Sequence, residues 1–259
     1  MIRFFAAPSQ ISAGRTIRLC AEDAAHIRSL RLRPSELFIV CDGDGSDHIC
    51  RLGGHGGDLV AEIIETRPSR GEPTVACDVY IAFAKGERLE YAVQKSIELG
   101  ARSVILFQSE RCVAVPGGMP KRIARLQKIA DETAKQCGRG RIPEVTLKRT
   151  FIEAIEEASK AGLPLYFYEC EEFLHLKQAL EQRGLRNTEP GTLMEPAGNG
   201  TALQSVSIVT GPEGGFEPFE AEYARSAGML SVSLGSRILR CETAPVAALA
   251  AIMFYTGNL

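Results

Sequence analysis

Two kinds of hydrophobic pattern divide the chain near residue 70. Before this point, short apolar runs are separated by glycine- and aspartate-rich turns, with one predicted helix from Ala21 to Leu30. After it, apolar runs alternate with amphipathic stretches, which predicts parallel strands connected by helices. The sequence therefore predicts a small β-barrel over residues 1–70 and an α/β domain over residues 71–259. The predicted barrel strands are Ile2 to Phe5, Thr16 to Leu19, Leu37 to Cys41, His48 to Leu52 and Leu59 to Ile64.

The predicted elements of the second domain follow each other closely. Strands are predicted at Val75 to Phe83, Ser103 to Phe107, Leu163 to Cys170, from Val206 to Thr210, and Leu230 to Leu234. Helices are predicted at Glu87 to Leu99, Pro120 to Gln136, after the capping box Thr150 to Glu153, and over the almost wholly apolar stretch Ala244 to Tyr255. A linker is predicted at Arg67 to Pro73, and a mobile surface loop at Glu181 to Gln204.

Two strands near the C-terminus open directly into glycine turns. The run ending at Thr210 leads into GPEGG, and the run ending at Leu234 leads into GSRILRCETA. One such turn could equally be an ordinary connection between a strand and a helix. Two in tandem favour a ligand site, because ligands bind at the carboxyl ends of strands in open α/β sheets. The sequence has neither GxxxxGK[ST] nor a strand-linked GxGxxG, so a phosphate-binding loop of those types is excluded.

The composition narrows the class of protein. With 45% hydrophobic and 24% charged residues, it is typical of a soluble globular protein. No apolar run is as long as a membrane span, and the first residues lack the apolar core of a signal peptide, so we expect a cytoplasmic protein without a membrane partner. The eight cysteines include no CxxC pair and no metal-ligand spacing with histidine, which predicts reduced thiols and no metal site.

Charge is unevenly distributed along the chain. Between Arg111 and Arg149 there are ten Lys or Arg residues against three acidic ones, whereas Phe151 to Glu195 has four against nine. A basic segment within a nearly neutral protein is typical of contact with a polyanion such as RNA. It is also what a solvated helix face looks like, and charge alone does not separate the two readings.

Several motifs together resemble one family. GPEGGF from Gly211 and SLGSRILRCETA from Ser233, in this order and spacing, resemble the C-terminal signature of the small-subunit ribosomal RNA (uracil-N3)-methyltransferase family, which belongs to the SPOUT superfamily of knotted methyltransferases. The helix that begins at Glu87 and the SER triplet ending at Arg111 match the same family. HIRSLRLRPSE, from His26, resembles the PUA-like RNA-binding domain that this family carries at its N-terminus. One departure is Lys135, where the family usually has an acidic residue.

The resemblance implies a fold and a cofactor that the pattern alone does not. The implied fold is an α/β class protein with a C-terminal SPOUT domain, whose parallel sheet is tied in a trefoil knot by threading the chain from about Ser205 onward, and an N-terminal PUA-like β-barrel. The implied cofactor is S-adenosylmethionine, held by backbone groups and covered by apolar side chains. The implied cofactor-binding residues are Tyr168, Glu169, Thr210, Gly211, Pro212, Glu213, Gly214, Gly215, Leu234, Gly235, Arg237, Ile238, Leu239 and Thr243.

The implied reaction is methylation of uracil N3 in 16S ribosomal RNA. This imide nitrogen carries a proton and shares its lone pair with two carbonyl groups, so the site must remove the proton and stabilise negative charge at O2 and O4. We expect Arg237, Arg240 and Glu242 to be catalytic, with Arg240 stabilising the oxygen and Glu242 orienting it. Glu242 could instead accept the proton, or simply complement a helix dipole.

The expected partners are 16S ribosomal RNA within the small ribosomal subunit and, by resemblance, a second copy of the chain. The expected RNA-binding residues are Arg3, Arg28, Arg31, Lys85, Lys95, Arg111 and Arg139. Two other readings remain open at this stage. The acceptor could be a ribose 2′-hydroxyl or another base, or the chain could be an RNA-binding protein that has lost its catalytic activity.

Overall fold

The chain folds into two units, which a computed structural model describes over residues 1–12, 15–33, 35–53, 59–113, 118–182 and 205–259. The first unit contains Met1–Glu72 together with Asp131–Ile142, and the second contains Pro73–Ala130 and Pro143–Leu259. The division after Glu72 lies close to the predicted boundary at residue 70. The grouping of residues 131–142 with the first unit was not predicted.

The first unit is built on a six-stranded mixed sheet. Its strands are β1 (Arg3–Phe5), β2 (Ile11–Ser12), β3 (Thr16–Arg18), β4 (Leu37–Cys41), β5 (Ser46–Gly53) and β6 (Val60–Pro68), in the order β1-β4-β5-β6-β3-β2. Only β1 and β4 are parallel; the other neighbouring pairs are antiparallel. Helix α1 (Ala21–Ser29) packs Ala24 and Ile27 into a core that includes Phe4 and Phe38, whose ring centroids are 5.7 Å apart.

The predicted strands of this unit are confirmed, with two differences. The short strand β2 was not predicted, because two residues carry too little pattern. Strand β6 extends to Pro68, so the predicted linker from Arg67 begins too early; Arg67 instead pairs in register with Asp47. Most of the glycine cluster predicted as a hairpin loop, residues 54–57, lies outside the described residues.

Glu72 explains why residues 131–142 belong to the first unit. Its carboxylate accepts two hydrogen bonds from the Arg139 guanidinium, Nε to Oε1 at 2.9 Å and NH2 to Oε2 at 2.8 Å. The same Oε1 accepts the backbone N–H groups of Gly140 and Arg141 at 2.9 and 3.1 Å. A contact between segments so far apart in sequence leaves no local pattern from which it could have been predicted.

We expect Glu72→Ala to lower the free energy of unfolding of this unit by about 2–3 kcal/mol, because the Arg139 guanidinium, whose side chain is only 5% exposed, would lose the two hydrogen bonds that it donates to Glu72. Glu62→Ala is the matched control. It breaks the pair of Glu62 with Arg51, whose side chains are 43% and 57% exposed, so it should cost about 0.5 kcal/mol or less. Urea unfolding would measure the change in the free energy of unfolding for both variants, and amide exchange would assign that change to the first unit. Equal losses in the two variants would contradict a stabilising role of the contact between Glu72 and Arg139.

The second unit has a six-stranded sheet in which all neighbouring strands are parallel. Its strands are β7 (Ala76–Ala82), β8 (Ser103–Phe107), β9 (Glu144–Lys148), β10 (Leu163–Phe167), β11 (Ser205–Thr210) and β12 (Leu230–Val232), in the order β12-β10-β11-β7-β8-β9. The helices are α2 (Glu87–Glu98), α3 (Met119–Cys137, of which the residues from Asp131 belong to the first unit), α4 (Phe151–Ala158), α5 (Leu176–Gln182), α6 (Pro218–Ser226) and α7 (Thr243–Tyr255). The predicted α/β class with a parallel sheet is confirmed.

Both faces of this sheet are covered, as continuous apolar strands require. On one face α4 and α6 pack over Tyr166 and Val209, in a cluster that contains Phe151 and Phe216. The alternate residues of the same strands, such as Leu165 and Ile208, point to the other face and are fully buried. The nearly uniform hydrophobicity of α7, which contacts β7, β11 and α2, fits this largely buried position.

Several predictions for the second unit need correction. Strand β9 and helix α5 were missed because both are short and half polar. The strands predicted to end at Cys170 and Leu234 end earlier, at Phe167 and Val232, so the residues that follow belong to loops. Of the predicted loop from Glu181 to Gln204, the first two residues belong to α5 and the rest lie outside the described residues. No helix in the described ranges is long and apolar enough to cross a membrane.

Candidate active site

A pocket of about 640 Å³ lies at the carboxyl ends of three adjacent strands, β12, β10 and β11. Connections leave the sheet in different directions at this edge, which is where open α/β sheets bind ligands. The lining residues come from the loops after these strands and from the start of α2. They are Arg88, Phe167, Tyr168, Glu169, Thr210, Gly211, Pro212, Glu213, Gly214, Gly215, Val232, Ser233, Leu234, Gly235, Arg237, Ile238, Leu239, Arg240, Cys241, Glu242 and Ala244.

The pocket brings together all but one of the residues predicted to bind cofactor, and all three predicted to be catalytic. The exception is Thr243, which is exposed and forms the first residue of α7; its backbone N–H donates to the Arg240 carbonyl at 2.8 Å. Cofactor contact by Thr243 stays a prediction. Ile238, predicted to cover a ring of the cofactor, is 77% exposed at the pocket.

Close packing shapes the GPEGG turn, which we call the glycine loop (residues 211–215). The Gly215 N–H donates to the Pro212 carbonyl at 3.0 Å, and Gly215 has a φ of +68°, which favours glycine. A β-carbon at Gly215 would overlap the Glu169 carboxylate, whose Oε1 accepts the Phe216 N–H at 2.9 Å. The positive φ therefore favours glycine at this position, and a side chain there would displace the Glu169 carboxylate.

Two carboxylates on separate loops face one arginine that sequence reasoning did not select. Arg88 NH1 lies 3.4 Å from Glu213 Oε1, and Arg88 Nε lies 4.0 Å from Glu242 Oε1. Glu213 Oε1 also accepts the Lys85 N–H at 2.9 Å. Arg88 thus connects the glycine loop to the RCETA segment. Only its place in the first turn of a helix that follows a strand could have suggested this role.

Glu242 is held as a carboxylate. Burial acts to raise its pKa, but its own backbone N–H, the Cys241 thiol at 3.2 Å, and the charges of Arg88 and Arg240 outweigh burial, so the pKa is lowered. A lowered pKa makes Glu242 a poor proton acceptor at neutral pH and favours an electrostatic role. Burial raises the pKa of the Cys241 thiol to about 12, so this thiol stays protonated and is not a nucleophile.

Arg237 and Arg240 are exposed at the pocket. Within the described part of the chain, neither forms an ion pair within 4.0 Å, so Glu242 orients Arg88 more closely than it orients Arg240. This revises the expected pairing of Arg240 with Glu242. Two guanidinium groups with free donors remain at the mouth of the pocket, where they can meet a substrate oxygen.

Two of the seven predicted RNA contacts are corrected, because their donors are enclosed within the first unit. Arg3 donates to both Asp47 oxygens, at 2.6 and 2.9 Å, and Arg139 is held by Glu72. Arg28, Arg31 and Lys85 are exposed, whereas Lys95 pairs with Glu98 at 2.8 Å on the surface of α2. Arg111 contacts Glu217 and the Gly214 carbonyl. RNA contact by these last five residues stays a prediction.

No group of three or more His, Cys, Asp or Glu side chains among the described residues is arranged to hold a metal ion. None of the eight cysteines, all of which lie among the described residues, forms a disulfide.

Comparison with known proteins gives the site its context. Residues 71–253 match the family model of the RNA methyltransferase domain. The curated ribosomal RNA small subunit methyltransferase E of Bacillus subtilis is 30% identical over 254 residues, which cover 96% of this chain and 94% of the relative. Its Synechocystis counterpart is 32% identical over 256 residues, covering 96% and 76% of the two chains.

Solved structures agree with this assignment. Ribosomal RNA small subunit methyltransferase E from Neisseria gonorrhoeae, bound to S-adenosyl methionine, is 30% identical and superposes with a TM-score of 0.76, covering 99% of this chain and 98% of the other. A Legionella pneumophila methyltransferase, also in complex with this cofactor, is 25% identical with a TM-score of 0.78 and coverage of 98% and 97%.

Proposed function

The chain belongs to the RNA methyltransferase domain family and is an S-adenosylmethionine-dependent RNA methyltransferase, and we propose that its acceptor is N3 of a specific uridine in 16S ribosomal RNA of the small subunit. The observation that carries the proposal is the pocket at the ends of β10, β11 and β12, where glycine loops meet Arg237 and Arg240. The names of the curated relatives supply the ribosomal substrate.

The pocket fits the cofactor in size and in construction. Its volume of about 640 Å³ is within the range of about 300–1,000 Å³ that is usual for small-molecule sites. Gly211, Gly214 and Gly215 line the pocket with backbone groups alone, and Leu234 and Leu239 offer apolar cover for a flat ring. When bound, S-adenosylmethionine supplies an activated methyl group on a sulfonium, which requires no metal.

The protein's own contribution is to align the acceptor and to stabilise its charge. Methyl transfer to N3 requires loss of the imide proton, which passes to solvent water at the exposed mouth of the pocket and leaves negative charge on O2 and O4. Arg240 and Arg237 have the donors to stabilise these oxygens. Glu242, ionised and 4.0 Å from Arg88, keeps the charge of the surrounding site balanced without taking up the proton.

We extend the proposal to a trefoil knot formed by the chain from about residue 205 onward. Strand β11 follows β10 in sequence yet lies between β10 and β7, so a late strand occupies the centre of the sheet. Helix α7, the last element, packs against β7, the first strand of the unit. A PUA-like barrel in the first unit is proposed on the same terms, with the exposed Arg28 and Arg31 as RNA contacts.

The proposal includes a homodimer that acts in the cytoplasm, where ribosomal subunits are methylated. Supporting it, α7 is apolar on every side although part of it is not buried, and Phe254 is 72% exposed. Large exposed apolar side chains mark surfaces that a partner covers. A sedimentation mass equal to a single chain of 28.1 kDa would contradict the dimer.

Nucleoside analysis of methylated RNA tests the reaction. We expect the purified protein, S-adenosylmethionine and unmethylated small subunits to give 3-methyluridine in 16S ribosomal RNA, detected by mass spectrometry after digestion. Protein-free subunit RNA, run in parallel, would show whether assembly is required. A 2′-O-methylated nucleoside or another methylated base would replace the proposed acceptor. No incorporation with either RNA would leave the chain as an RNA-binding protein.

A further inference from the structure

Arg111 contacts the glycine loop from outside the pocket, although its place in a basic segment suggests RNA. Its Nε donates to Glu217 Oε1 at 2.7 Å, and its NH1 donates to the Gly214 carbonyl at 3.1 Å. Building on the proposed function, we propose that Arg111 is a positioning residue that holds the glycine loop in the shape required for S-adenosylmethionine binding.

The two acceptors of Arg111 lie on either side of Gly215. Gly214 precedes it, Gly215 itself has a φ of +68°, and Glu217 is the N-cap residue of α6. A planar guanidinium can donate to both acceptors at once in a fixed geometry, which a single ammonium group cannot do. Arg111 therefore fixes the distance between the loop carbonyl and the start of the helix.

A buried carboxylate holds Arg111 in place. Glu220, 1% exposed, accepts the Ser109 hydroxyl at 3.2 Å, the Glu110 N–H at 3.1 Å and the Glu217 N–H at 2.9 Å. The segment that carries Arg111 is thereby bonded to the same helix turn that Arg111 contacts. The backbone of Arg111 is therefore already ordered. Little backbone entropy is lost when its guanidinium contacts Gly214 and Glu217, an arrangement that we call the clamp.

Packing at Gly214 supports the same reading. A β-carbon there would lie 3.1 Å from Arg111 Cβ and 3.3 Å from the Arg111 carbonyl oxygen. The loop backbone thus lies directly against the Arg111 segment. A phosphate that took the same donors, Nε and NH1, would have to displace Glu217, whose pKa is lowered by its hydrogen bond with Arg111.

Calorimetric titration with S-adenosylmethionine in the absence of RNA separates the clamp from an RNA contact. We expect Arg111→Ala, Arg111→Lys and Glu217→Gln each to raise Kd by about ten-fold, because the two Arg111 variants break the two-acceptor geometry and Glu217→Gln removes the charge that strengthens one of the two hydrogen bonds. Binding of small-subunit RNA, measured by filter retention, should change less than three-fold.

A phosphate contact would give a different set of results. S-adenosylmethionine binding would be unchanged in all three variants, RNA binding would fall in Arg111→Ala but survive in Arg111→Lys, and Glu217→Gln would strengthen RNA binding by freeing the guanidinium. That outcome would overturn the proposal. Arg102→Ala is the matched control. It removes another arginine–carboxylate fork, the one with Asp78, which lies at the amino ends of β7 and β8 and so at the opposite end of the strands from the pocket.

Amide exchange of the cofactor-free protein tests the clamp independently of the proposed function. We expect the Gly215 and Phe216 amides, which donate to Pro212 and Glu169, to exchange faster in Arg111→Ala than in wild type or Arg102→Ala. Unchanged exchange would overturn the inference. If the wild-type protein did not bind S-adenosylmethionine, the proposed function would be wrong instead. Amide exchange alone would then show whether Arg111 holds the glycine loop.

Discussion

Gly215→Ala is expected to weaken S-adenosylmethionine binding on the order of a hundred-fold while leaving the protein folded. The substitution has two effects at one position. A left-handed conformation costs a non-glycine residue about 1–2 kcal/mol. The new methyl group would also overlap the Glu169 carboxylate, which lines the pocket and accepts the Phe216 N–H. The second unit can absorb the conformational strain and remain folded, but the overlap displaces Glu169, which forms part of the pocket wall.

Gly228→Ala isolates the second effect. Gly228 also has a positive φ, +91°, and lies in the turn between α6 and β12, but a β-carbon there would meet nothing within 4 Å. Both variants should therefore lose similar thermal stability, whereas only Gly215→Ala should lose cofactor binding. Calorimetry together with a thermal melt of each variant checks this. Normal binding by Gly215→Ala would mean that the glycine loop does not contact the cofactor.

The sequence predicted the site best at positions where the backbone accepts only one or two residue types. Glycine at positions 211, 214 and 215 directly after a strand pointed to the pocket, because removal of a side chain has local causes that can be recognised in the sequence. The parallel sheet could be predicted for a similar reason, since buried strands alternate with amphipathic helices. The family motifs located the remaining two loops.

What could not be predicted depends on contacts between distant segments. Arg3, Arg111 and Arg139 were all expected to bind RNA, Arg111 and Arg139 because they lie in a basic segment and Arg3 because the N-terminal residues resemble an RNA-binding domain. In the structure their guanidinium groups are directed to Asp47, Glu217 and Glu72. Charge in a sequence does not specify its partner. Arg88 was missed for the converse reason, because its two carboxylates lie far along the chain.

Arg240→Ala is expected to lower the turnover of RNA methylation by about 10²–10³-fold, the usual cost of removing a donor that stabilises a developing oxyanion. S-adenosylmethionine binding should stay within about three-fold of wild type, because the Arg240 carbonyl that begins α7 does not depend on the side chain. Arg240→Lys keeps the charge but loses the planar donor pair, so it should recover only part of the rate.

The pH dependence distinguishes charge stabilisation at the base from a contact to the RNA backbone. Arg240 is proposed to favour the deprotonated imide, whose population rises with pH without help from the protein. The deficit of Arg240→Ala should therefore shrink as the pH is raised in single-turnover measurements with saturating RNA. A backbone contact would instead raise the RNA concentration needed for half-maximal rate and leave a deficit independent of pH. Arg102→Ala, a substitution at the amino ends of the strands, should match wild type at every pH. Full turnover by Arg240→Ala would remove Arg240 from the mechanism.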